Sequence, residues 1–296
     1  MRLPSTLLLS SALILFAAIS HAGAKQPARS DKTSYYPHWV ARDGTVTDAI
    51  LKRLRPGSIV AVHHEWPLSE LRRILNASGS FTLSWYVEAN VQERNDPAPR
   101  GTPVAARIAT AQKKQATLVG EYGKNRFANL IELDGARDKY EGSLRGVGNN
   151  RKDWEVDAAA AKAAGFRYVA KSPSHAHVKD LRAKFGADFV PRIVFEDVTG
   201  SARDKNPGYR RDAKALAADG ETVTLIVHEG AYGGFSATPL KKARSVVKSD
   251  FSQHNVEAYW GRKSSKEEYV KLKDFTEDPT ASEPVTDKNN DALPSE

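Results

Sequence analysis

The stretch 190–228, VPRIVFEDVTGSARDKNPGYRRDAKALAADGETVTLIVH, decides the fold. It opens on a β-branched run, VPRIVFE, and passes through a polar loop. An amphipathic stretch over 208–219 follows, halts at Gly220, and gives way to a second apolar run, TVTLIVH. A strand, a helix and a second strand joined in this way form a parallel crossover unit. The same pattern recurs on both sides. Strands are predicted over 34–40, 58–64, 80–87, 128–133, 166–171, 190–196, 222–228 and 256–260. Helices are predicted over 46–55, 68–77, 102–122, 153–164, 175–185, 208–219, 239–250 and 264–273. Ser69, Thr102-Pro103 and Thr238-Pro239 mark helix starts, and Gly79, Gly165, Gly186 and Gly220 mark helix ends. Eight strands alternating with eight helices predict an α/β fold, a (β/α)8 TIM barrel in a single domain. The rival is a doubly wound open sheet. It calls for a Gly-rich turn after the first strand, which 40–46 (VARDGTV) lacks.

The ends differ from this body. Residues 1–24 carry Arg2, an apolar run from Leu7 to Ile19 and a small-residue site at Ala22-Gly23-Ala24. The run is short for a membrane span of roughly 20 residues, so it predicts a cleaved signal peptide. A secreted or periplasmic bacterial location follows, with no stable membrane insertion. Residues 277–296 hold six acids and one lysine with no apolar period, and are expected to form a disordered acidic tail. The domain then runs over 25–276. The whole chain of 296 residues has a formal charge of +8, but 25–276 alone holds 42 bases and 30 acids, a net +12. The absence of cysteine excludes disulfides and thiolate metal sites.

Strand alternation sorts inward from outward side chains. Outward positions are apolar, as at Ile131 and Leu133, or Leu83, Trp85 and Val87. Inward positions include His63, Glu65, Thr82, Ser84, Tyr86, Glu88, Leu130, Glu132, Asp134, Arg167, Val169, Lys171, Arg192, Val194, Glu196, Thr224, Ile226, His228, Glu257 and Tyr259. That interior is polar where barrel cores are ordinarily packed with Val, Ile and Leu. One part is readable as a structural ion network, with Arg192 or Arg167 neutralising Glu132 or Glu257. The rest crowds the carboxyl ends of six strands, where barrel sites lie: Glu65, Glu88, Asp134, Lys171, Glu196 and His228, with Glu229 adjoining.

Two carboxyl groups facing one bond are the requirement for glycoside cleavage. Asp134 ends the fourth strand and Glu229 follows the seventh. In this the chain resembles the superfamily of (β/α)8 glycoside hydrolases, which carry acids on strands four and seven and an aromatic on strand eight. No asparagine precedes the acid on strand four. The run 134–141 (DGARDKYE) is similar to the chitinase-type DGxDxDxE run at its ends but lacks its two central acids. The resemblance implies a glycan-cleaving enzyme with catalytic residues Asp134, Glu132, Glu196 and Glu229. Substrate contacts would come from His63, Glu65, Tyr86, Glu88, Lys171, His228, Tyr259 and Trp260. No cofactor is implied. A positive body favours an anionic polysaccharide partner.

An alternative is metal-assisted phosphodiester cleavage or a related lyase. The Glu132-x-Asp134 pair resembles that of glycerophosphodiester phosphodiesterases and could hold Mg²⁺ or Ca²⁺ with Glu88, Glu196 or His63. The opening His-Arg of that family is replaced by Tyr36-Pro37-His38-Trp39. A third reading is a non-catalytic glycan-binding barrel. Nucleic acid is not an expected partner, because the bases are scattered over many helices. Several residues admit two roles. His63-His64 are metal ligands or core. Lys171 is a Schiff-base lysine or an ion-pair partner of Glu132 or Asp134. Gly230, Gly233 and Gly234 form a phosphate cradle or a plain loop. Trp39, Trp66 and Trp260 are sugar platforms or core. His175 and His177 are expected at the surface.

Overall fold

The computed structural model describes residues 33–36, 46–54, 56–77, 81–88, 104–134, 151–196, 198, 208–228, 238–261 and 269–273. The expected signal peptide and acidic tail lie outside them. Strands and helices alternate: β1 (Tyr35–Tyr36), α1 (Asp48–Arg53), β2 (Ile59–His63), α2 (Leu68–Ala77), β3 (Thr82–Glu88), α3 (Val104–Tyr122), β4 (Phe127–Asp134), α4 (Arg151–Ala163), β5 (Arg167–Lys171), α5 (His175–Phe185), β6 (Arg192–Glu196), α6 (Gly208–Ala218), β7 (Val223–His228), α7 (Leu240–Phe251), β8 (Val256–Gly261) and β9 (Tyr269–Lys273). The nine strands form one sheet in chain order. Every pairing from β1 to β8 is parallel, and β9 joins β8 antiparallel.

Local chemistry sets the element ends. Thr47 Oγ1 accepts from the Ile50 amide and caps α1, and Ser174 Oγ accepts from the His177 amide and caps α5. Gly186 closes α5 at φ 107°, a backbone state that side chains disfavour. In β4, two extra residues between the partners of Leu83 and Trp85 make a bulge. Asn129 absorbs it at φ 52°, with its side-chain Oδ1 accepting from Gln115 Nε2 at 2.7 Å.

The sheet curls until its first strand meets its eighth. The Tyr35 amide donates to Glu257 on β8 at 2.9 Å, and the Tyr35 hydroxyl donates to Glu132 on β4 at 2.9 Å. The Tyr36 and Tyr259 rings meet edge-on at 6.0 Å. The apolar face of each strand packs outward under the helices. Trp85 Nε1 donates to Gln115 of α3, and Phe195 meets Tyr209 of α6 at 6.1 Å.

One element differs in kind from the expectation. The helix predicted over 264–273 is, over its described part, strand β9. The sequence YVKLK alternates with period two, and a strand satisfies that pattern better than a helix. Strand β9 fills the free edge of β8, and Lys271 Nζ reaches Ser34 Oγ at 3.3 Å. Among the described residues no ladder pairs β8 with β1, and the seam is made by side chains of both β8 and β9 that reach β1 and Ser34 beside it. Seven α-helices are present among the described residues.

Ion pairs lace the helical layer from neighbour to neighbour at Arg73–Asp48, Arg72–Glu121, Lys184–Glu155 and Arg210–Asp250, and His175 meets Asp219 in the same layer. The Arg210 guanidinium, with help from the Ser249 hydroxyl, holds the Asp250 carboxyl at about 2 against an ordinary 3.8. A depressed carboxylate adds stability above its unfolded pKa and loses that contribution as pH falls through the folded value. Because Arg210 is 40% exposed, the screened effect is modest. Asp250→Asn is expected to cost about 1 kcal/mol at pH 7. In urea melts the gap to wild type should close between about pH 4 and pH 2.

Candidate functional site

Parallel strands bring all their carboxyl ends to one side of the sheet, and the site residues were expected there. Two levels of polar side chain occupy the concave face.

The lower level is a closed network. Glu132 is fully buried and accepts from Tyr35. Glu257, also fully buried, accepts from the Tyr35 amide and from the Tyr259 hydroxyl at 2.6 Å, and pairs with Lys271 at 3.3 Å. Arg192 lies 5.3 Å from the Tyr35 ring centroid and donates to the Thr33 carbonyl at 2.6 Å. Burial, and then the neighbouring carboxylate, raise both tyrosine pKa values well above 10. Glu132 does this to Tyr35 and Glu257 to Tyr259, while the charge of Arg192 opposes it in both. Both phenols therefore stay protonated donors. Of the two arginines considered for this network, Arg192 is in it. Arg167 is exposed at the amino end of β5 and reaches the Ala128 carbonyl instead.

This placement moves two expected site residues out of solvent. Glu132 has no exposed surface and serves Tyr35. Tyr259 is 3% exposed and serves Glu257. Trp260, the proposed sugar platform, faces the other side of its strand. Its Nε1 donates to the Thr238 carbonyl at 2.8 Å, ahead of α7, and the ring is core. Period-two alternation requires this once Glu257 and Tyr259 point inward. Trp66 is core as well.

The upper level reaches solvent at Glu65 and Lys171, while His63 and His64 are fully buried. At the end of β2, His63 Nδ1 accepts from the Glu65 amide at 3.1 Å, which puts the proton of a neutral ring on Nε2. The His63 ring lies 4.7 Å from His64 and 5.6 Å from Tyr86. His64 Nε2 meets Glu65 Oε1 at 2.9 Å, with Glu65 a quarter exposed. Lys171 Nζ stands 5.7 Å from the Tyr86 ring centroid. His63, Glu65, Tyr86 and Lys171 thus gather as the sequence suggested, although Tyr86 is 1% exposed.

His64, readable from the sequence as a metal ligand or core, adjoins Glu65. Two contributors were not anticipated. Lys114 reaches in from α3 to donate to the His64 and Trp66 carbonyls at 2.7 and 2.8 Å. Burial lowers its pKa, and Glu65 partly restores it. Ser172 follows Lys171 at φ 44°, just ahead of Pro173, with its amide bonded to the Val194 carbonyl. A non-glycine residue in this region is strained, and such strain collects at functional sites. Only the KSP run hinted at it. His177, expected at the surface, is buried in the first turn of α5, while His175 pairs with Asp219 at 2.6 Å.

The backbone places the remaining acids. Glu88 and Asp134 are register partners at the ends of β3 and β4, on strands about 4.8 Å apart. Lys171 follows Val169, the partner of Glu132, by two residues and so stands level with Asp134. Glu196 and His228 end β6 and β7. Glu229, Gly230, Gly233, Gly234 and Trp39 lie outside the described residues. Among the described residues no cluster of three His, Asp or Glu side chains could hold a metal ion, and no helix is long and apolar enough to cross a membrane.

No protein-family model and no curated protein matches the chain. Solved structures similar to this chain include two catalytic domains and one further chitinase. A mannanase from Streptomyces sp. SirexAA-E has 12% identity over 73% of this chain and 72% of that one, with a TM-score of 0.42. A family GH18 chitinase from the fern Peteris ryukyuensis has 10% identity over 78% and 91%, with a TM-score of 0.41. A family 18 chitinase from Crocus vernus has 12% identity over 77% and 92%, with a TM-score of 0.42.

Proposed function

We propose that this protein is a glycan-cleaving hydrolase built on a (β/α)8-type barrel, exported by its amino-terminal segment and acting on an anionic polysaccharide. The observation that carries the reading is the register of β3 and β4, which sets Glu88 beside Asp134 at the carboxyl ends of the strands. The same edge of the sheet carries Glu65, Lys171 and Glu196.

Asp134 is assigned as the acid that protonates the glycosidic oxygen as the bond to the anomeric carbon breaks. Glu196 or Glu229 supplies the second carboxylate, which attacks that carbon or takes a proton from the attacking water. Lys171 would hold an acidic substituent of the sugar, consistent with a body of net charge +12. The metal-dependent alternative is less favoured, because Glu132 is engaged by Tyr35 deep in the interior.

Reducing-end release from a panel of uronic-acid-bearing and neutral polysaccharides, with and without chelator, tests the reading. Chelator-insensitive release from an acidic polymer is expected. Binding without any release would identify a lectin-like barrel instead. Lys171→Met is expected to lower kcat/KM for a uronic-acid substrate about tenfold more than for its neutral counterpart, the worth of one charge-assisted contact. Equal losses on both would remove Lys171 from substrate recognition.

A further inference from the structure

The outward face of α7 is strongly cationic. Lys241, Lys242, Arg244 and Lys248 are all exposed, as are Ser245 and Ser249 beside them. The sole acid of this helix, Asp250, is turned to α6, where Arg210 holds it at 2.5 Å and Lys214 at 3.6 Å. Within α7, Lys241 and Arg244 stand three residues apart and Arg244 and Lys248 four, so like charges are neighbours on the surface and oppose the helix. Two lysines also lie in its first turn, where no acid offsets them and the helix dipole disfavours cations. A helix selected for stability alone would not carry this pattern.

The same chain holds a complement. Residues 277–296 carry Glu277, Asp278, Glu283, Asp287, Asp291 and Glu296 against Lys288, a net −5. The described fold releases the chain close to α7. Lys273, the last residue of β9, is 7% exposed, and its Nζ donates to the carbonyl of Ser252, the residue that caps α7. Lys273 also pairs with Ala258 near the start of β8. The chain therefore leaves beside the carboxyl end of α7. The 12 residues of α7 span about 18 Å, and six extended residues cover about 20 Å. Glu277, Asp278 and Glu283 are within reach of Lys248, Arg244 and Lys241 with no rearrangement of the fold.

We propose that the acidic segment 277–296 docks along the outward face of α7 of its own molecule. It thereby adds negative charge to the most basic of the described helices and competes with polyanions for that surface.

The test uses the full chain and a full-length variant with Glu277→Gln, Asp278→Asn, Glu283→Gln, Asp287→Asn, Asp291→Asn and Glu296→Gln. Acetylation rates are read lysine by lysine. Lys241, Lys242 and Lys248 should react about threefold faster or more in the variant, while Lys113 on α3 should not change. In 1 M salt, where the Debye length is about 3 Å, the two proteins should converge. Zero-length carbodiimide coupling of wild type should link α7 lysines to acids of 277–296 within one chain. Equal acetylation rates overturn the proposal. So do links that form only between isotopically distinct chains in a mixture, which would place the segment on a second copy. A single-stranded oligonucleotide or an anionic vesicle bound equally tightly by both proteins also overturns it, because a docked segment must compete.

Discussion

Arg192→Met is expected to destabilise the protein by about 3–5 kcal/mol, the cost of leaving buried charge uncompensated. Arg192 is 2% exposed and lies over Tyr35, which ties together two fully buried carboxylates, Glu132 through its hydroxyl and Glu257 through its amide. The other cation of this network, Lys271, is a third exposed and pairs with Glu257 from the rim of the sheet. Methionine nearly matches the arginine stem in shape, so the loss reports charge more than cavity. The double variant Arg192→Met with Glu132→Gln should recover part of the stability, because one of the stranded charges is gone. Urea unfolding measures both. A loss below about 1 kcal/mol for the single variant would show that the network does not depend on its arginine.

The second large effect concerns activity. Under the proposed function, Asp134→Asn is expected to lower kcat on a cleaved glycan by about 10²–10⁴-fold, the usual contribution of a positioned acid. Its melting temperature should stay near that of wild type, since Asp134 is the last residue of its strand. Glu132→Gln, two residues earlier on the same face, should behave in the opposite way. It disturbs the bond to Tyr35 and shows first as lost stability. This contrast separates the catalytic level of the site from the structural one beneath it. Full activity in Asp134→Asn would transfer the acid's role to Glu196 or Glu229.

Most of the strand and helix pattern was readable because apolar periodicity dominates at buried positions. The inward set at His63, Tyr86, Glu132 and Arg192 followed from alternation alone. What alternation could not supply was depth. Glu132 and Asp134 share a face in the sequence pattern, yet one is sealed under Tyr35 and the other ends the strand. Depth depends on what lies across the sheet, and Tyr35 comes from a strand 97 positions away. Trp260 stands at a strand end, which suggests the mouth of the site, but its parity is opposite to that of Tyr259 and turns it into the core. The last helix was misjudged because KEEYVKLK is rich in helix formers, while the edge of β8 needed a pairing partner. Lys114 was invisible for a simpler reason: an amphipathic helix pattern does not show that one lysine will reach across to two carbonyls at a strand end.

The ninth strand also bears on timing. The seam where the sheet meets itself joins Lys271 to Ser34, 237 positions apart. Contacts of such separation form late and slowly. A nascent chain can assemble its crossover units one after another, but the rolled sheet stays unsealed until nearly all of it has been synthesised. A product ending before Tyr269 would lack β9 altogether and would leave the edge of β8 bare, with unpaired backbone groups open to association with other chains. For this protein, premature termination is therefore an aggregation hazard.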